Sequence, residues 1–204
     1  MQNIAYKLND KLYLNITNRC TNACSFCIRY LAPKFHGEYN LWLDHEPNEE
    51  EILAAIGDPT KHQEIVFCGY GEPLIRLDTV KAVSDKLKTA SKKVKIRINT
   101  NGQANLFYGR NVLPELMGLV DAMDISLNAE SASAYNKLCH SMFGIAAYQA
   151  VVEFVKEAKK HIPELEITVV DLPNEINIEQ IKKTARELGV SLRIRSYYEE
   201  KYVR

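Results

Sequence analysis

Three cysteines, Cys20, Cys24 and Cys27, fall within eight residues directly after an apolar segment. The chain has five cysteines, and Cys68 and Cys139 stand alone. Clustering of this kind is typical of metal binding rather than of a disulfide framework. A [4Fe–4S] cluster has four iron corners, usually held by four thiolates. Three cysteines in one loop hold three corners and leave one iron open to a small chelating ligand.

Structural zinc is the alternative for these thiols. Zinc prefers four closed protein ligands, and His36 or His45 could supply the fourth. The paired cysteine spacing of zinc ribbons is absent, so the spacing favours an iron–sulfur cluster.

Six segments alternate apolar residues with a period of two, and each predicts a strand. Helical patterns lie between them, and a capping box begins at Asn48. Strands that alternate with helices predict a parallel sheet. The apolar strand positions are Leu12, Leu14, Ile16, Ile65 to Phe67, Val94, Ile96, Ile98, Met123, Ile125, Leu127, Leu165, Ile167, Val169, Val190, Leu192 and Ile194.

The opposite strand faces are polar. A doubly wound sheet is apolar on both faces, and a closed eight-stranded barrel needs about 250 residues and an apolar lumen. We therefore predict an α/β fold, an open partial (β/α)6 barrel with six parallel strands around a solvated cavity; an antiparallel sheet with a wet face is the alternative. The predicted cavity positions are Asn15, Arg97, Asn99, Ser126, Asn128 and Arg195.

Length and charge limit the remaining classes. The 204 residues suit a single domain over residues 1–204, and 26 basic residues balance 26 acidic ones, which makes nucleic acid an improbable partner. No apolar run approaches the ~20 residues needed to span a bilayer, and the first residues lack a signal peptide's apolar core. We expect a cytoplasmic protein.

A glycine-rich segment, Gly69-Tyr70-Gly71-Glu72-Pro73, follows the second predicted strand just as the cysteines follow the first. With Phe26 before the last cysteine, these two motifs resemble those of the radical SAM superfamily. The resemblance implies a [4Fe–4S] cluster on the three cysteines and S-adenosylmethionine (SAM) on the open iron. Reductive cleavage of SAM then gives methionine and a 5′-deoxyadenosyl radical, which abstracts a substrate hydrogen. The resemblance also implies an electron donor such as flavodoxin or ferredoxin, and an enzyme that is sensitive to oxygen.

Further segments resemble the TatD-associated radical SAM proteins, and they suggest a functional link to a TatD-type hydrolase. The chain departs from that family at His140 and Ser141, where Arg and Pro are usual after the cysteine. The resembling segments are residues 40–47, 67–73, 99–102, 109–112 and 126–129.

The resemblance also assigns cofactor-binding residues. The glycine turn faces the SAM amine, Glu72 shapes that turn, and Phe26 stacks near the adenine. Amides and hydroxyls at strand ends suit the ribose and carboxylate of SAM, although each could instead stabilise a loop. The predicted set is Phe26, Gly69, Tyr70, Gly71, Glu72, Asn99, Asn101, Ser126, Asn128 and Arg195.

Arginines gather near the predicted strand ends, and guanidinium groups match carboxylate or phosphate oxygens. They indicate an anionic small-molecule or peptide substrate, unless Asp124, Glu166 or Glu72 already pairs them. The arginines concerned are Arg29, Arg76, Arg97, Arg110, Arg193 and Arg195.

The two isolated cysteines have separate predictions. Cys68 is predicted to be a small core residue. Cys139 is a candidate catalytic residue, although packing of its helix is the favoured role. A non-catalytic iron–sulfur or zinc protein is the competing function for the whole chain.

Overall fold

The computed structural model describes residues 2–31 and 34–197. Its seven described strands form one open sheet in chain order. The strands are β1 (Ala5–Leu8), β2 (Lys11–Leu14), β3 (Glu64–Phe67), β4 (Lys95–Thr100), β5 (Ala122–Ser126), β6 (Glu164–Asp171) and β7 (Ser191–Ser196).

Strands β2 to β7 pair in parallel, which confirms the six predicted strands and the open α/β barrel. The sequence prediction missed β1, which pairs antiparallel with β2 through a two-residue hairpin at Asn9 and Asp10. Asn9 adopts a φ of 53°, a left-handed conformation that asparagine tolerates in such turns. That dipeptide was the available signal for the extra strand.

Helices cover the outer face of the sheet. The capping box at Asn48 is present, since its side chain accepts from Glu51 N and the Glu51 side chain accepts from Asn48 N. The last helix, α7 (Ile178–Leu188), begins after the cap Asn177 and is followed by Gly189, whose φ is 62°. The helices are α1 (Ile28–Leu31), α2 (Glu49–Ile56), α3 (Leu77–Ala90), α4 (Ala104–Tyr108), α5 (Ala132–Cys139), α6 (Ala146–Ala158) and α7 (Ile178–Leu188).

The strand register separates the two faces as the alternation predicts. Ile65 pairs with Leu12 on one side and Ile96 on the other, so the apolar side chains form one stripe under the helices. All three side chains are buried. Arg97 and Ser126 line cavities on the opposite face, so the predicted register is confirmed. Within the described ranges, no helix is long and apolar enough to cross a membrane.

Candidate functional site

A cleft of about 980 Å³, including its open mouth, lies at the carboxyl ends of the parallel strands. This edge is where side chains and loops of neighbouring parallel strands converge on a ligand. The lining residues include Cys20, Cys24, Cys27, Phe26, Cys68, Gly69, Gly71, Glu72, Asn99, Asn101, Ser126, Asn128 and Arg195. All three clustered cysteines thus share one cavity with nine of the ten predicted cofactor-binding residues, all except Tyr70.

The cysteine loop, residues 18–27, is anchored by the end of helix α5. Ala23 N donates to Cys139 O at 3.0 Å, and Ser25 N donates to Leu138 O at 3.0 Å. Carbonyl groups at a helix C-terminus lack partners within the helix. The loop therefore satisfies the last turn of α5 and is fixed by it.

Buried side chains hold the same loop from below. Asn22 Nδ2 donates to Tyr135 Oη at 3.1 Å, and Gln103 Nε2 donates to Asn22 Oδ1 at 2.8 Å and to Tyr135 Oη at 2.8 Å. Ser141 Oγ donates to Gln103 Oε1 at 2.9 Å. Because a half-satisfied buried network is costly, these contacts specify one arrangement of the loop. The sequence carries no local signal for Asn22, Gln103 or Tyr135, since their partners lie far along the chain.

The three thiols are partly buried, and all are free of disulfides. Burial raises the pKa of Cys20 to about 12, and it also raises the pKa of Cys27. A hydrogen bond with the Cys139 thiol, together with burial, raises the pKa of Cys24. Thiolates are the metal-binding form, so metal loading at this loop releases protons.

No three His, Cys, Asp or Glu side chains in residues 2–31 and 34–197 converge closely enough to hold a single metal ion. Thiolates of a cubic cluster bind separate irons, so they need not converge on one point. Cys20, Cys24 and Cys27 surround part of one cleft and present sulfur, the donor that Fe–S clusters require. This donor set fits the implied cluster.

The glycine turn is fixed by protein packing. A Cβ on Gly69 would lie 2.1 Å from Asn15 Oδ1, and one on Gly71 would lie 2.3 Å from Thr17 O. Both glycines therefore allow the turn to pack on the segment that leads into the cysteine loop. The sequence predicts that these glycines make room for the cofactor, and the observed crowding gives them a packing role as well.

Glu72 connects the turn to the end of β4. Its Oε1 accepts from Leu74 N and from Thr100 Oγ1, and its Oε2 accepts from Asn101 N at 2.6 Å. Burial raises the pKa of Glu72 to about 7, although these three donors lower it. The carboxyl group thus shapes the turn, as the resemblance implies.

Asn15, predicted to face the cavity, and Tyr70, predicted to bind the cofactor, have their side chains outside the cleft. The Tyr70 ring packs against Trp42 with centroids 5.3 Å apart, in a small apolar cluster with Tyr6 and Leu41. Asn15 is buried, and its Nδ2 donates to Leu41 O at 2.8 Å. Neither lines the cleft, because residues 40–43 cover that side of the sheet. The expectation that the Asn15 side chain faces the cavity is wrong, whereas cofactor binding by Tyr70 stays a prediction.

The polar strand ends differ in how they are satisfied. Ser126 Oγ lies 3.2 Å from Thr168 Oγ1, and Asn128 Oδ1 accepts from Val170 N at 3.3 Å. Asn101 Nδ2 donates to Thr21 Oγ1 at 2.7 Å and approaches Cys20 Sγ at 3.7 Å. Asn99 Oδ1 is buried and accepts no hydrogen bond from the described residues. Asn99 therefore offers the cleft an acceptor that no described protein group uses.

Four of the six arginines near the strand ends are paired within the protein. Arg97 pairs with Glu64 and Asp124, and Arg193 pairs with Asp124 and Glu166. A second hollow at the amino ends of the strands is lined by Arg97, Asp124, Glu166 and Arg193. Asn99 lines both this hollow and the main cleft. Arg76 pairs with Glu46, and Arg110 with Glu115. Internal neutralisation, the alternative, thus holds for these four arginines, whereas Arg195 lines the cleft and the anionic substrate stays a prediction.

The isolated cysteines also have defined places. Cys68 lines the cleft, because positions 64, 66 and 68 share the inner face of β3 and its extension. The prediction that Cys68 is a core residue is wrong for this reason. Cys139 is fully buried in the main core behind Cys24, as the favoured packing role requires.

Strands β2 to β7 thus form an open parallel barrel with a cysteine-lined cleft at its carboxyl edge. Residues 14–188 match the family model described as the radical SAM superfamily. The chain belongs to this superfamily, and it is an enzyme whose substrate these comparisons do not identify. The family implies SAM and a [4Fe–4S] cluster as cofactors.

Among curated proteins, the chain is 28% identical over 166 residues to a GTP 3′,8-cyclase from Lactiplantibacillus plantarum. The match covers 80% of this chain and 46% of the relative, so the chain spans about half the relative's length.

Solved structures of Streptococcus suis SuiB share the fold. The complex with precursor peptide SuiA superposes with a TM-score of 0.65 at 15% identity, covering 98% of this chain and 42% of SuiB. The complex with S-adenosylmethionine gives 0.60 at 17% identity, covering 93% and 39%.

Proposed function

We propose that this protein binds a [4Fe–4S] cluster through Cys20, Cys24 and Cys27 and cleaves SAM reductively to act on a small-molecule or peptide substrate. The observation that carries the proposal is the placement of the three thiols on one wall of the cleft. Cys139 lies behind Cys24 in the core and not on that wall. The cleft wall therefore offers three clustered sulfur ligands and leaves room for a fourth, exchangeable one.

Cys20, Cys24 and Cys27 would hold the cluster, which when bound would supply the electron for reductive cleavage of SAM to methionine and the 5′-deoxyadenosyl radical. The chain's own residues position the reactants and exclude water. Asn99 Oδ1 is the buried acceptor available to a donor group of SAM, such as its amine or ribose hydroxyls. Phe26 and Ile28 supply apolar surface on the same wall. Ser126, Asn128 and Arg195 line the far side of the cleft toward β6 and β7.

The finer assignment follows from the sequence resemblance. We assign the chain to the TatD-associated radical SAM proteins, with a functional link to a TatD-type hydrolase. The electron donor is a flavodoxin or ferredoxin, and the enzyme works in the cytoplasm, where thiols stay reduced. The iron–sulfur chemistry of the family makes the cluster-loaded enzyme oxygen-sensitive.

Anaerobic reconstitution tests the proposal. The loaded protein should contain about four irons and show the brown absorption of a [4Fe–4S] cluster. Addition of SAM and a one-electron reductant should then release 5′-deoxyadenosine and methionine. Zinc in place of iron would identify a zinc protein. A four-iron protein that releases no 5′-deoxyadenosine would instead identify an electron carrier.

The role of Asn99 is tested separately. Asn99→Ala should weaken SAM binding about tenfold while iron content stays unchanged, because a hydrogen bond to SAM is lost and the cysteine loop is intact. Asn111→Ala, an exposed amide outside the cleft, is the matched control and should bind SAM normally. Equal SAM affinity in both variants would remove Asn99 from the site.

A further inference from the structure

Arg29 lies two residues after Cys27 and is held by backbone carbonyl groups. Its Nη1 donates to Asn18 O at 3.3 Å and to Tyr70 O at 3.4 Å, and its Nη2 donates to Asn22 O at 3.3 Å. The guanidinium carbon lies 4.6 Å from the ring centroid of Tyr30. The side chain therefore joins the cysteine loop to the glycine turn, and its position is fixed on several sides.

The charge of Arg29 has no carboxylate partner in the part of the chain that the structure describes. Arg19, Arg76 and Arg97 each form an ion pair, whereas carbonyl oxygens carry no net charge to balance Arg29. Its Nε is buried and donates to no described atom. A partly buried cation without an anion is costly, so its retention calls for a negative group at this place.

A substrate is not that negative group, since Arg29 does not line the cleft. Its guanidinium group lies instead within the cysteine loop. Asn18 and Asn22, whose carbonyl groups accept from it, each lie two residues from Cys20. Arg29 itself follows Cys27 by two residues. A cluster bound by the thiolates of this loop is thus the anion beside the unpaired cation.

We propose that Arg29 compensates the negative charge of the cluster and thereby raises its reduction potential, a role that rests on the proposed function. Three thiolates give the cluster a net negative charge, which grows by one unit when an electron is added. A fixed cation in a poorly solvated place stabilises the more negative, reduced state. Net charge and hydrogen bonding around the sulfurs are the protein's means of setting such potentials.

The potential of the reconstituted protein, titrated anaerobically and followed by electron paramagnetic resonance, tests this role. Arg29→Gln removes the charge and keeps an amide donor, whereas Arg29→Lys keeps the charge. We expect Arg29→Gln to reduce the ratio of reduced to oxidised cluster about tenfold at a given ambient potential, equivalent to about 59 mV for one electron. Arg29→Lys should stay within about threefold of the unmodified protein.

Arg76→Gln is the matched control. Arg76 also donates to two carbonyl groups, Ile16 O and Pro47 O, at 2.8 Å, yet it pairs with Glu46 and both of its acceptors lie outside the cysteine loop. The potential should not change in this variant. A shift in Arg76→Gln as large as that in Arg29→Gln would overturn the assignment, because any loosened loop would then give the same result.

Iron analysis distinguishes the remaining outcomes. Loss of the cluster in Arg29→Gln with retention in Arg29→Lys supports a role for the charge. Loss in both variants, or unchanged potentials in both, overturns it and leaves Arg29 as a loop brace. Failure of the unmodified protein to hold four irons would reject the proposed function itself, before any potential is compared.

Discussion

At the amino ends of the strands, the cavity is lined by Lys11, Arg97, Asp124, Glu166 and Arg193, which meet one another or Glu64 in ion pairs. At the carboxyl ends, it is lined by thiols, amides and hydroxyls. Both ends are polar and belong to the same sheet face. The amino end of the cavity, called the lower end, satisfies its own charges. The carboxyl end, called the upper end, keeps a buried acceptor on Asn99 and has the unpaired cation of Arg29 nearby.

This difference separates structural polarity from functional polarity. A charge that has an internal partner stabilises the fold, and it is not available to a ligand without breaking that pair. A buried polar atom without a partner carries a cost that a ligand can remove. Alternation along the strands marks both ends of the cavity equally, so only the contacts distinguish them.

The largest expected effect is loss of the cofactor at the upper end. Cys20→Ala, Cys24→Ala and Cys27→Ala should each abolish the brown chromophore and most of the iron, because each removes one sulfur ligand. Cys68→Ala, on the same cleft wall, should keep both. Absorption spectra and iron content after anaerobic reconstitution measure this. A Cys24→Ala protein with four irons would contradict the cluster assignment.

The next effect concerns the pH dependence of the buried carboxyl Glu72. The pKa of Glu72 in the folded protein is raised to about 7 from 4.5. Below pH 4.5 the carboxyl group is protonated in both states and its ionisation does not destabilise the fold, whereas above pH 7 the full destabilisation is present. The stability of the apoprotein relative to Glu72→Gln should therefore fall by about 3 kcal/mol between those values. Urea unfolding across this range measures the difference. A difference that rises with pH would mean that the three donors dominate over burial.

A smaller loss of stability is expected at the lower end. Asp124→Asn leaves Arg97 and Arg193 with one carboxylate partner fewer each, and we expect a cost of about 2 kcal/mol with unchanged iron content. Glu179→Gln, at an exposed pair with Lys182, is the control and should unfold as the parent does. Loss of iron in Asp124→Asn would show that the two ends are coupled.

The smallest effect concerns the support beneath the cysteine loop. Tyr135→Phe removes a hydroxyl that accepts from Asn22 and Gln103, and it should cost about 1 kcal/mol. Iron should also dissociate faster to a chelator, since the loop loses part of its brace. Tyr148→Phe, whose hydroxyl donates to Glu130 O away from the cleft, serves for comparison. Equal iron release from the two variants would separate the network from cluster retention.

Local patterns were sufficient for the six parallel strands and for the cysteine loop. Period-two alternation placed Arg97 and Ser126 on the inner face, and the strand ends placed Cys20 and Asn99 at one edge. What the sequence did not show depends on partners distant along the chain. The ion pair of Arg97 with Asp124 and the packing of Tyr70 on Trp42 are both set by the fold. Position 68 was misjudged although the same alternation, extended by one residue, predicts its inner face.

The docking of the cysteine loop onto helix α5 also affects the order in which the protein matures. Ser25 and Leu138 are 113 residues apart. At 5–20 residues per second, a ribosome needs roughly 6–20 s to synthesise the intervening chain. The nascent loop has no α5 carbonyl groups to bind during that time, so its cysteines are exposed and unbraced. Iron–sulfur delivery to a chain still shorter than residue 139 would meet an unformed site, which makes cofactor insertion a late step that follows synthesis of α5.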